Sequence, residues 1–127
     1  MEPHTEAIVR SLVAMAWADG RMDDTERAVL DALVAAFELS DDDANIIKEY
    51  AAEPRTLDDV PLTELSGDDR RLLLQHAVIL SYVDGEQSQR ELELLDAMVK
   101  RLRVPAPEAE MIIDAANRRA KRLLELL

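Results

Sequence analysis

One motif that occurs twice at a fixed separation constrains this chain more than any other feature. Asp19-Gly20-Arg21-Met22-Asp23-Asp24-Thr25-Glu26 returns 65 residues later as Asp84-Gly85-Glu86-Gln87-Ser88-Gln89-Arg90-Glu91. Residues 13–37 align with 78–102 without a gap. Eight of the 25 pairs are identical: Val13/Val78, Asp19/Asp84, Gly20/Gly85, Glu26/Glu91, Leu30/Leu95, Asp31/Asp96, Ala32/Ala97 and Val34/Val99. Trp17 falls opposite Tyr82, and Phe37 opposite Leu102. Each copy follows an apolar run and precedes an amphipathic one. A unit present twice predicts a pseudo-twofold domain, whereas a solenoid needs several stacked units.

The segments around the motif read as helices. Residues 7–18, AIVRSLVAMAWA, and 72–83, LLLQHAVILSYV, are apolar nearly all round. Helices without a polar face belong at the centre of a bundle, so these two are expected side by side. Gly20 and Gly85 follow them as C-caps. Asp23 with Glu26 and Ser88 with Glu91 have capping-box spacing. Val29, Leu30, Leu33, Val34 and Phe37 form one face of a helix over roughly 24–38, and Leu92, Leu95, Met98, Val99 and Leu102 form its counterpart. Ser40, followed by Asp41, Asp42 and Asp43, opens a third helix that Pro54 ends. Leu57, Val60, Leu62 and Leu65 predict that the connection 54–66 packs down with one short turn. Ser66 with Asp69 opens the fourth helix. Pro105 and Pro107 precede the last, which carries Ala109, Ile112, Ile113, Ala116, Ala120, Leu123, Leu124 and Leu127 on one side. The expectation is an all-α bundle of about six to seven helices in two three-helix halves. It forms one domain over 1–127, with repeat units at about 5–53 and 68–127.

Composition narrows the functions. A chain of 127 residues buries a core without staples. The absence of cysteine excludes disulfides, thiolate metal sites and thiol nucleophiles. No apolar run is long enough to span a membrane, and the first residues lack a basic signal-peptide region; a cytoplasmic protein is expected. Net charge is −12, and it is unevenly placed. Residues 1–64 carry 16 acids and 5 bases, whereas 65–127 carry 11 and 10. Such a surface disfavours nucleic acid and suits cations or a basic partner. The sequence holds no P-loop, no G-x-S-x-G and no H-E-x-x-H, so a non-enzymatic protein is expected.

The two acidic corners are the candidate site. Capping accounts for the glycines, Asp23, Ser88 and both glutamates. It does not account for Asp19 and Asp84, which sit in the last turn of a helix and oppose its dipole. Two partners can offset them: a hydrogen bond to the next helix's N-terminus, or a cation. Carboxylates without cysteine suit Ca²⁺, Mg²⁺ or Mn²⁺. An EF-hand loop is excluded, since counting from Asp19 puts Gly at position 2 and Glu at 8 instead of 6 and 12.

Ala16-Trp17-Ala18-Asp19-Gly20…Glu26 resembles the signature of the tellurite-resistance TerB-like family, and Ser81-Tyr82-Val83-Asp84-Gly85…Glu91 is similar to that family's internal duplicate. The resemblance covers about residues 5–125. It implies a helical bundle with a divalent-metal site in a tellurite-resistance or stress-response setting, sometimes with membrane-associated partners. By motif position the implied ligands are Asp19, Glu26, Asp84 and Glu91. The second corner departs from the first, with Val83 for Ala18 and Gln87 and Gln89 for Met22 and Asp24, and is less acidic. The alternative is a metal-free protein–protein interaction module whose corners are purely structural. Of the remaining candidates, His76 is expected to be a satisfied core or groove histidine. Trp17 and Tyr82 are expected to pack across the pseudo-twofold. The Arg118–Arg122 cluster is expected to pair with the acidic half, with an acidic partner or a peripheral membrane contact as the other options.

Overall fold

A computed structural model of the chain describes residues 2–18, 20, 22, 24–60, 62, 65–81 and 88–125. Among them are six α-helices: α1 Pro3–Ala16, α2 Asp24–Ala35, α3 Asp41–Ala51, α4 Gly67–Ser81, α5 Gln89–Leu102 and α6 Ala106–Glu125. A 3₁₀ turn, Leu57–Asp59, lies between α3 and α4. The all-α class and the helical-bundle architecture agree with the sequence expectation.

The centre of the molecule is the pair of apolar helices. α1 buries Ile8, Val9, Leu12, Val13 and Met15, and α4 buries Leu73, Leu74, Ala77, Val78 and Leu80. These helices lie against each other, α3 covers α1, and α6 runs along α4. Helix α2 touches both central helices, which closes the first half onto the second. Three polar side chains on the central helices bond to carbonyls of their own helix, as an apolar interior favours. Ser11 donates to the Ala7 carbonyl at 2.7 Å, Ser81 donates to the Val78 carbonyl at 2.6 Å, and His76 Nδ1 lies 2.8 Å from the Leu72 oxygen.

The 65-residue offset governs all three helices of each half. Asp24 and Gln89 open α2 and α5, and Asp41 and Ala106 open α3 and α6. The left-handed residues between second and third helices are Glu38 (φ 53°) and Arg103 (φ 56°), again 65 apart. The third helices share Ala44/Ala109, Ile47/Ile112 and Ala51/Ala116, of which all but Ala44 and Ile112 are fully buried. The duplication therefore extends past the segment in which sequence identity reveals it.

Several local expectations are met. Ser40 Oγ accepts from the Asp43 amide, and Ser66 Oγ from the Asp69 amide, both at 3.2 Å. Leu57, Val60, Leu62 and Leu65 are all buried. Two differ. α1 ends at Ala16 with Trp17 as its cap, three residues before Gly20; Gly20 instead takes the left-handed turn that follows, φ +82°, with its amide on the Trp17 carbonyl at 2.9 Å. α2 ends at Ala35, short of 38, because the chain turns into the left-handed Glu38. Gly85 lies outside the described residues.

Candidate functional site: the paired corners

Of the four carboxylates implied as metal ligands, Glu26 and Glu91 are described, and Asp19 and Asp84 lie outside the described residues. Glu26 and Glu91 are each 6% exposed, an unusual burial for glutamate. Desolvating a carboxylate is costly unless hydrogen bonds offset it. For Glu91 the offset is visible. Ser88, in extended backbone, accepts the Glu91 amide on its Oγ at 3.1 Å, and Glu91 Oε1 accepts the Ser88 amide at 3.0 Å. This is the capping box expected from the sequence, and it satisfies two of the orphan amides at the start of α5. The first copy's capping residue, Asp23, lies outside the described residues.

The two halves meet at the first corner. A Cβ added to Gly20 would lie 3.6 Å from Nη1 of Arg90, in the first turn of α5. Gly20 of the first motif and the helix opened by the second motif are therefore neighbours, and a guanidinium stands beside an acidic corner. Sequence reasoning does not single out Arg90. It aligns with Thr25, and the contact joins residues 70 apart, so no local spacing betrays it.

The other singled-out residues take structural roles. Trp17 packs against the core that the two halves share. Its indole N–H donates to the Ala51 carbonyl at 3.0 Å, within its own half, and fastens the end of α3 to the end of α1. Tyr82 lies outside the described residues. His76 holds its own helix carbonyl and faces the Phe37 ring at 6.1 Å between centroids, as a groove histidine does. In the cationic cluster, Arg118 pairs with Asp114 of its own helix at 3.5 Å, so this member does not reach the acidic half.

Among the described residues, no group of three or more His, Cys, Asp or Glu side chains is arranged to hold a metal ion. Two grooves with equivalent linings flank the helices instead. One of about 430 Å³ lies between α2 and α3 over Leu30, Asp31, Val34 and Ala44; one of about 280 Å³ lies between α5 and α6 over Leu95, Asp96, Val99 and Ala109. No described helix is long and apolar enough to cross a membrane. Comparison of the chain with protein-family models, curated proteins and solved structures returned no match.

Proposed function

We propose that this chain is a non-enzymatic, TerB-like interaction module of a tellurite-resistance or stress-response system, in which the Asp-Gly corners serve the fold. The Arg90 guanidinium beside Gly20 carries this reading. A fixed positive charge at the corner offsets its acidity from within the protein and repels a divalent cation arriving there. The capping box supports the same view, since Glu91 already accepts the Ser88 amide. Recognition then falls to the surface. The first half carries 16 acids against 5 bases, which suits a basic protein partner and disfavours nucleic acid.

A second reading keeps Asp19, Glu26, Asp84 and Glu91 as ligands to Ca²⁺, Mg²⁺ or Mn²⁺. One observation favours it: the first corner and the start of α5 are neighbours, through Gly20 and Arg90. Hard cations take such all-oxygen sets, and an ion there would join the halves. The described residues alone do not make the set, because Glu26 and Glu91 are only half of it.

Calorimetry separates the two. Ca²⁺, Mg²⁺ and Mn²⁺ are titrated into the wild type and into Asp19→Asn/Asp84→Asn. The interaction module gives no binding at sub-millimolar metal, and Arg90→Ala lowers the melting temperature. Sub-millimolar binding that disappears in the double variant overturns it in favour of the cation.

A further inference from the structure

The halves differ at one groove. Between α4 and α6 lies an open space of about 310 Å³ lined by Gln75, Ile79, Met111, Ile112, Ala115 and Arg119. Its counterpart between α1 and α3 is filled. Tyr50 stands where Ala115 stands, with the Arg10 guanidinium 4.7 Å from its ring centroid on one side and that of Arg55 at 4.2 Å on the other. Gln75, which aligns with Arg10, reaches less far, and Pro54 takes the place of Arg119. The second half thus has the socket without its plug.

Beside the socket stands an exposed apolar side chain. Met111 is 73% exposed, the most of any large hydrophobic residue described. It belongs to a single stripe of α6, Glu108, Met111, Ile112, Ala115, Arg119 and Arg122, spaced by three, four and seven residues as one helix face requires. The stripe changes sign about Ala115. Glu108 and Arg122 are equidistant from that alanine, and so are Met111 and Arg119. A helix face of this kind complements itself when a second copy lies antiparallel to it.

We infer that the outer face of α6 is a self-association surface: two copies of this chain pair α6 against α6, antiparallel, with a twofold axis at Ala115. The small alanine lets the helices approach. Met111 of each copy enters the other's α4–α6 socket, the space that Tyr50 fills in the first half. Glu108, already fixed by its ion pair to Arg71, meets Arg122 of the second copy at both ends. Such an interface is isologous, the commonest form of homodimer contact. The half that pairs has 11 acids and 10 bases, so the two strongly acidic halves stay apart. The face on α3 is unsuited to self-pairing: its socket is plugged, and α3 ends at Ala51, before any basic segment equivalent to Arg118–Arg122.

Two single-helix faces bury less than the roughly 800 Å² per partner of a stable complex, so a dimer with a Kd on the order of 10–100 μM is expected. Sedimentation equilibrium and light scattering across that range test it. Wild type moves from 14.3 kDa toward twice that mass as concentration rises, and added salt weakens the dimer. Met111→Asp and Ala115→Tyr leave the protein folded, since both positions are exposed, and hold it at monomer mass. Arg122→Glu raises Kd by about tenfold, the scale of one interfacial pair made repulsive. A monomer throughout the range overturns the inference, as does a dimer that survives both Met111→Asp and Ala115→Tyr. A monomer that instead sediments with phosphatidylserine vesicles through Arg118–Arg122 also overturns it.

Discussion

The first and second halves repeat one three-helix plan, and they differ where the plan places no demand on the core. Ile8 and Leu73 occupy equivalent positions and are both fully buried. So do Val13 and Val78, and Glu38 and Arg103 repeat the same left-handed turn. The surfaces diverge. α3 has 11 residues and stops where Trp17 and Arg55 hold its last carbonyls, those of Ala51 and Tyr50. α6 has 20 and runs on along α4, burying Ala116 and Ala120. The second half secures its ends differently: Arg70 donates to the Leu65 carbonyl at 2.9 Å and to the Leu102 carbonyl at 3.1 Å, and its first-half counterpart is Thr5. Duplication has kept what closes the shared core and released charge, helix length and groove filling.

The largest test of this comparison is in the core. Ile8→Ala and Leu73→Ala each remove a fully buried branched side chain, so each is expected to cost about 2–5 kcal/mol. If the halves share one core, urea unfolding followed by Trp17 fluorescence and by far-UV circular dichroism moves together in both variants. The idea of one cooperative unit fails if Leu73→Ala leaves the Trp17 transition in place while the dichroism splits into two steps.

Next come the left-handed turns. A side chain at positive φ costs about 1–2 kcal/mol, which glycine avoids. Glu38→Gly and Arg103→Gly are therefore both expected to stabilise, by about 1 kcal/mol after the larger backbone entropy of unfolded glycine is set against the gain. Equal gains by denaturant melts mark the two turns as equivalent. A loss at either position marks a side chain with a task of its own.

These turns also show what the sequence conceals. Neither Glu38 nor Arg103 is a residue type that signals a left-handed conformation, so helix α2 reads three residues too long. The capping serines at 40, 66 and 88 are legible because the bond they make is three residues away. The buried Leu57, Val60, Leu62 and Leu65 of the connection are legible because, prolines apart, they are the only apolar side chains in a 13-residue stretch. The end of α1 is not, since the indole bond from Trp17 to Ala51 spans 34 residues and leaves no local pattern. The candidate site divides in the same way. The capping role of Glu91 follows from spacing; the placement of Arg90 against Gly20 is a product of how the halves pack. The open socket beside Ala115 becomes visible only when Tyr50 is seen filling its twin.

Of smaller effect is the cap of α5. Ser88→Ala removes the acceptor for the Glu91 amide at 3.1 Å and is expected to cost about 1 kcal/mol. The repeat assigns Asp23 the same task in the first half, so Asp23→Ala should cost a similar amount in equilibrium denaturation. A negligible loss there, with the Ser88 loss intact, would show that the corners have diverged in structure as well as in acidity.

The smallest expected effect concerns a charged tie between the connection and the second half. Asp58 Oδ1 accepts from Arg101 Nη2 at 2.5 Å. That hydrogen bond, the Coulomb attraction of the same guanidinium and a bond with Thr56 hold the Asp58 carboxyl below its ordinary value. A depressed folded pKa means that the folded state favours the ionised form. The stabilisation is therefore complete above the unfolded aspartate pKa of about 3.9 and fades as pH falls through the lower, folded value. Both side chains are exposed, which keeps the contribution slight and sensitive to salt. Position 101 aligns with Ala36, so the first half has no equivalent tie. Asp58→Asn should lower the urea midpoint at about pH 5, and the gap to the wild type should close as pH falls below the depressed folded value, where the carboxylate is protonated in both states. A difference that persists at the lower pH would mean that the side chain acts by its shape and hydrogen bonding, and the asymmetry between the halves would then lie in packing instead of charge.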